Sequence, residues 1–457
     1  MAPKVLVIGL DSAPPELVFG KFSSILPNIS RLAANGAWGR MRTVDPPITV
    51  PAWACMMTSR NPGHMGIYGF RNRKDHTYNG LSFVSSHSVQ APAVWDVASA
   101  ASRRSIVVGV PPAYPPLPLR GWRVSCFLAP STQKDYTFPL ELKPELEREV
   151  GPYILDVTNF RSEDKTRILR DIYKMTTRRF EVAEYLMTTR DWDFSMVVDM
   201  GPDRIQHGFW KYMDLQHPKH EPGNPLQNAI RDYYEFVDGW VGRLLERAPD
   251  DCVVLVVSDH GAQPMQGGIC INEWLRKEGY LVLAEEPRGP TPFAQCQVDW
   301  SRTKAWGDGG YYARLFLNVC GREPHGVIDP GAYEDLRTEL IEKLEALGDE
   351  QGRSIGTRAH RPEDLYPETQ GVPPDLLVYF GDLTWRSVGQ LGTGKIHTFE
   401  NDTGPDDANH SREGIFIASG AGIKGELTGL SVVDVGPTLL ALQGLDPPPE
   451  IEGKCLI

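Results

Sequence analysis

The run Lys4-Val5-Leu6-Val7-Ile8-Gly9-Leu10, closing on Asp11, decides the fold. Its apolar residues leave no side for water, which is the pattern of a strand covered on both faces. Related runs follow: SIVVGV at 105–110, FSMVVDM at 194–200, CVVLVVS at 252–258, DLLVYF at 375–380 and GIFIAS at 414–419. Helix-length stretches separate them, and the amphipathic ones lie at 163–190, 226–247 and 332–347. Strands of this kind alternating with helices predict an α/β sandwich, with a mainly parallel central sheet and helices on both faces. From Gly261 the periodicity weakens while Pro, Gly and Trp become more frequent. Residues 261–395 are therefore expected to form an inserted cap that partly continues the core sheet, with the core made of residues 1–260 and 396–457.

A chain of 457 residues accommodates one large domain with such an insertion. Its formal charge is 47 − 59 = −12, which repels a polyphosphate backbone, so no polymeric nucleic acid is expected as partner. A small anionic substrate stays compatible, because bound divalent cations invert the local field. The seven cysteines are odd in number and form no CxxC pair, which fits reduced thiols and predicts a cytoplasmic protein. The first apolar run is too short for a signal-peptide core, and no run of 18 apolar residues predicts a membrane span. A homo-oligomer is compatible with all of this.

Open parallel sheets bind their ligands beyond the carboxyl ends of the strands. Asp11 follows the first strand there, Gly-Pro-Asp203-Arg-Ile-Gln-His207 follows FSMVVDM, and Asp259-His260-Gly follows CVVLVVS. His410 stands shortly before GIFIAS, in NDTGPDDANHSREG. Nitrogen and oxygen donors without thiolate suit zinc, manganese or iron(II). Asp203 and His207 are four apart, so one helical turn brings both to the same ion. Singly, each has an ordinary reading: a helix cap for Asp11, a turn with a satisfied histidine for Asp259-His260, a surface pair for Asp203 and His207. Their recurrence at several strand ends argues for one metal site.

In Pro46-Pro47-Ile48-Thr49-Val50-Pro51-Ala52-Trp53, Pro51 suits the first turn of a helix beginning near Val50. Thr49 is then expected at the cap, beside free N–H groups and the positive dipole end, where a phosphoryl oxygen is welcome. Beside two cations its hydroxyl reads as a nucleophile, and without them as a cap. Asp402, Asp406 and Asp407 read either as a solvated loop or as groups orienting His410, and His64 reads as a brace for the loop after Thr49.

From VIGLDS through ITVPAWACMMTSRNPGHMGIYGF, PDRIQH and VVSDHG to NDTGPDDANH and the tail DVGPTLLALQGLDPPPEIEGKCL, the chain resembles the alkaline phosphatase superfamily. Within it the match is to the type I phosphodiesterase/nucleotide pyrophosphatase family, in the branch of bacterial and archaeal predicted phosphohydrolases or phosphomutases. The resemblance implies one divalent ion on Asp11, Asp259, His260 and the Thr49 oxygen, and a second on Asp203, His207 and His410. The ions it implies are zinc or manganese. It also implies in-line attack by Thr49 on a phosphodiester or nucleotide pyrophosphate-type bond, a phosphothreonine intermediate, and hydrolysis. The substrate would be a small phosphate ester or nucleotide. Relatives carry a phosphate-binding asparagine some twenty residues beyond the nucleophile; Phe70 holds the strictly spaced position here, and Asn72 lies two further on. Sulfatases of the superfamily show a C/S-x-P-x-R signature that this chain lacks. Alkaline phosphatases follow their nucleophile with an arginine, and Val50 in its place favours a diester over a doubly charged monoester. Two rival expectations are a phosphomonoesterase or phosphomutase of the same superfamily, and an inactive homologue that binds metal or ligand.

Overall fold

The structure is a computed structural model that describes residues 2–457. It divides into two units, one comprising the chain up to Phe70, Val84–Ala262 and Ser411–Ile457, the other Arg71–Phe83 and Gln263–His410.

The first unit is built on a nine-stranded sheet. In chain order its strands are β1 (Val5–Leu10), β2 (Ala37–Arg42), β3 (Ser105–Val108), β4 (Gly121–Val124), β5 (Thr137–Phe138), β6 (Phe194–Asp199), β7 (Val253–Val257), β8 (Glu413–Ser419) and β9 (Gly425–Ser431). Across the sheet they run β9-β2-β8-β7-β1-β6-β3-β4-β5. The central strand β1 is parallel to both β6 and β7, and β3 is parallel to β6 and β4. Every residue of β1, β6 and β7 is buried, as their unbroken apolar runs predict. Each Val, Leu or Ile there contributes roughly 1.5–3 kcal/mol relative to exposure.

The sheet is mainly parallel, with two departures from the reading of the runs. GIFIAS forms β8, which is antiparallel to both β2 and β7. DLLVYF supplies Leu376–Tyr379 to a separate antiparallel sheet of the second unit. An apolar run reports burial on both faces but not direction or partner. β8 also returns to the sheet after the whole second unit, so the handedness rule for single helical crossovers does not govern it.

Five helices of the first unit matter below: α1 (Pro27–Asn35), α2 (Thr49–Thr58), α3 (Lys165–Thr189), α4 (Gly201–Met213) and α5 (Ala229–Leu245). The predicted amphipathic segments at 163–190 and 226–247 are α3 and α5. Asp164 caps α3 by accepting from the Arg167 N–H. Asp238 of α5 accepts from the Asn28 and Ile29 N–H groups and so closes the start of α1.

In the second unit Ala305–Asp308, Ala313–Leu317, Leu376–Tyr379 and Arg358–His360 form the four-stranded sheet. The third amphipathic segment is its helix, Tyr333–Glu345, and Leu340 and Leu344 join Leu315, Leu317, Leu376 and Val378 in one core. Among the described residues no helix is long and apolar enough to cross a membrane.

Candidate metal centre

Parallel pairing of β1 with β7 sets Gly9 opposite Val257, so the residues beyond both strands emerge side by side. Asp11, Asp259 and His260 stand there, wholly buried, with ligand atoms within 4.8 Å of one another. His260 Nε2 lies 3.2 Å from Asp259 Oδ2 and 4.0 Å from Asp11 Oδ1. The His260 Nδ1–H donates to the Gly261 carbonyl at 3.0 Å, which makes Nε2 the acceptor nitrogen on the side of the group.

Thr49 faces two of the three residues, Asp11 and His260. Its Oγ1 is 3.4 Å from Asp11 Oδ1 and 3.3 Å from His260 Nε2. The threonine is the first helical residue of α2 rather than its cap, because the Ile48 carbonyl already accepts the Ala52 N–H at 2.9 Å. The shift is one residue, and the hydroxyl stays at the positive end of a helix buried along its whole length.

Neighbours tie down one oxygen of each carboxylate. Trp53, one turn beyond Thr49, donates its indole N–H to Asp11 Oδ2 at 2.7 Å. The indole has room because residue 9 is glycine: a Cβ there would sit 2.6 Å from Trp53 Cη2 and 2.7 Å from Val198 Cγ2. Ser12 adopts a left-handed φ of 63° and donates its N–H to Asp259 Oδ1 at 3.2 Å. Gln206 of α4 in turn donates to the Ser12 carbonyl at 2.8 Å.

Of the second expected group, Asp203 and His207 are buried in the first unit and His410 is buried in the second. Asp203 and His207 lie one turn apart on α4, as their spacing predicts, with Asp203 Oδ1 3.2 Å from His207 Nε2. His410 belongs to the strand Ala408–Ser411, and its ring stacks on Tyr311 at 3.8 Å. The Arg386 guanidinium lies 4.7 Å from the Tyr311 ring and is ion-paired with Asp406. Asp406 is thus a buried residue joined to the Arg386 that lies beside the Tyr311 ring. Asp407 is buried as well, while Asp402 accepts the Gly389 N–H.

Burial raises the carboxyls of Asp11 and Asp259 well above the ordinary 3.8. The charge of Asp203 adds to the rise at Asp11, and that of Asp11 adds to the rise at Asp259. Asp259 Oδ2 is buried without a hydrogen-bond donor. Buried like charges with an orphaned oxygen are costly unless a cation compensates them. The donor set, carboxylate and imidazole without thiolate, fits divalent ions at both groups.

Of the other residues singled out, His64 contacts Arg60 Nη2 at 3.0 Å and has its N–H capped by Asn61, so it braces the short helix Pro62–Met65. Asn72 lies in the hairpin strand Arg71–Arg73 opposite Ser82. The residues that sequence reasoning passed over are Ser12, Tyr311, Arg386 and, as an orienting group, Trp53. Only Trp53 carried a signal, its i+4 spacing from Thr49.

The structure is similar to murine ectonucleotide pyrophosphatase/phosphodiesterase 5 at a TM-score of 0.58, covering 98% of this chain and 96% of that one. At 15% identity the likeness is one of fold. No curated protein matches the sequence. The family model for type I phosphodiesterase/nucleotide pyrophosphatase matches residues 5–406, which is most of the chain. The strand-end carboxylates and imidazoles thus sit in a chain that belongs to the type I phosphodiesterase/nucleotide pyrophosphatase family, enzymes that hydrolyse phosphodiester and pyrophosphate bonds.

Proposed function

We propose that Thr49 is the nucleophile of this hydrolysis and that it passes through a phosphothreonine. The observation that carries the reading is the threonine's place: at the positive end of α2, with its hydroxyl within 3.4 Å of Asp11 Oδ1 and 3.3 Å of His260 Nε2. Asp11, Asp259, His260 and the Thr49 oxygen would hold one divalent ion, and Asp203, His207 and His410 the other. Zinc suits these donors best and manganese next. Bound there, the ions would lower the pKa of the hydroxyl and screen the phosphoryl charge. In the resting chain Asp11 Oδ1 at 3.4 Å and His260 Nε2 at 3.3 Å are the acceptors within reach of the Thr49 hydroxyl proton. Asn72 is assigned a phosphoryl oxygen.

The substrate is read as a small diester or nucleotide pyrophosphate. Val50 offers no guanidinium, and Arg204, Arg60 and Arg42 are engaged with other groups. Arg204 is bound to Asp156 and Asp203, Arg60 lies against His64 and the carboxylates of Glu450 and Glu452, and Arg42 faces Asp45. A monoester, with one more negative charge, would ask for such a partner. The seven free thiols support a cytoplasmic setting.

The test is hydrolysis of bis(p-nitrophenyl) phosphate and p-nitrophenyl phosphate by the wild type and Thr49→Ala, with metal content assayed on each preparation. Faster diester cleavage, lost in Thr49→Ala with metal retained, is the expected result. Turnover undiminished in Thr49→Ala would remove the threonine from the mechanism, and a faster monoester would overturn the substrate class.

A further inference from the structure

Arg204 directly follows Asp203 on α4 and is 6% exposed. Its Nη1 donates to Asp203 Oδ2. Its other edge makes a two-pronged pair with Asp156, Nε to Oδ1 at 2.9 Å and Nη2 to Oδ2 at 2.7 Å. The Phe160 ring lies 4.4 Å from the guanidinium on one side, and that of Phe127 is 5.7 Å away. Phe160 also neighbours the His207 ring, at 6.4 Å. Both prongs and the ring contacts fix the guanidinium plane, so the oxygen of Asp203 that it holds is fixed as well.

We infer that Asp156 and Arg204 are positioning residues for the ion of the Asp203, His207 and His410 group. The inference rests on the two-ion reading above. Arg204 occupies Oδ2 of Asp203 and so presents Oδ1, the oxygen 3.2 Å from His207 Nε2, as the single ligand atom. A lone buried arginine would orient Asp203 at the cost of cancelling its charge, which a dication needs. Asp156 resolves that conflict: the row Asp156, Arg204, Asp203 carries one net negative charge. Trp53 does the same for Asp11 with a neutral donor, which leaves the charge of that carboxylate intact. Each group therefore has its own brace, and their affinities are separately adjustable.

The experiment titrates metal-free protein with Zn2+ alone by calorimetry, with bound zinc counted after dialysis and thermal unfolding recorded for each variant without metal. Asp156→Asn leaves the Arg204 charge uncompensated and is expected to weaken one of two zinc ions about 10–100-fold while the other keeps its wild-type affinity. Arg204→Met is expected to weaken the same ion, and the double variant to be no worse than Asp156→Asn, since both act through one contact. Trp53→Phe is expected to weaken the other ion only. Wild-type affinity for both ions in Asp156→Asn overturns the inference, as does equal weakening of both or additive losses in the double variant. A wild type that binds fewer than two ions overturns the two-ion reading instead. If Arg204→Met does not fold, Asp156→Asn, with a partly exposed side chain, decides alone.

Discussion

Asp11, Asp259 and His260 emerge from two neighbouring parallel strands, whereas Asp203 and His207 share a helical turn and His410 comes from a strand near the other end of the chain. In the first group the backbone ladder sets the spacing, and neutral donors, the Trp53 indole and the Ser12 amide, finish the aim. The second depends on charged and aromatic side chains: Arg204 on Asp203, and Tyr311 backed by Arg386 under His410. Backbone geometry survives the loss of a side chain better than a stack or an ion pair does. The first group is accordingly the more rigid without metal, and the second the more sensitive to distant substitution.

The largest effect belongs to the residue leaning on the first group alone. Thr49→Ala is expected to cut turnover by roughly 10³–10⁶-fold while both ions stay bound, because the hydroxyl is one ligand among several. Turnover and metal count measured together check this, and loss of both ions would mean that Thr49 holds the site rather than reacts in it. Next in size, Asp259→Asn is expected to abolish one ion and raise the melting temperature of metal-free protein, since it deletes one of the buried like charges. An unchanged or lower melting temperature would show that the carboxylates are not in conflict.

A pH series follows from the same groups. Asp11 and Asp259 ionise well above 3.8 when folded, first through burial and then through the charge of Asp203 at Asp11 and of Asp11 at Asp259. An acid with a raised folded pKa favours the folded state most at low pH, and this contribution falls as pH climbs from 3.8 toward the folded value. The stabilisation conferred by added Zn2+ or Mn2+ is therefore expected to grow as pH rises from 3.8 toward the folded values. Thermal melts with and without metal measure it, and a flat difference would contradict the charge argument. The smallest effect is expected of Tyr311→Leu, which removes the shelf under His410. An aromatic contact of about 0.5–1.5 kcal/mol corresponds to a ~2- to 10-fold weaker second ion, read by calorimetry.

What the sequence made legible follows a physical line. Val5–Leu10 and Val253–Val257 read correctly as strands covered on both faces, because periodicity and burial are local. The same logic misassigned Leu376–Tyr379 and the direction of β8, since partner and polarity are fixed by connections that a run does not encode. Within the site, spacing alone places Asp203 and His207 on one turn. Nothing local tells that Asp156 meets Arg204, or that Arg386, Tyr311 and His410 form one stack; those are contacts between distant stretches of chain. Asp406 shows the limit well: its sequence surroundings suit a wet loop as readily as a buried brace.

Gly9 and Trp53 carry a consequence for the history of this chain. The space a Cβ would need at residue 9 is filled by the indole that holds Asp11. Any side chain at position 9 is therefore barred while the tryptophan remains, and becomes admissible only after position 53 has shrunk and Val198 has given way. Substitution at the two positions has a required order, and the first step already loosens the grip on Asp11. A lineage can leave the pair only through an intermediate with a weakened hold on Asp11, so the glycine persists for as long as the tryptophan does.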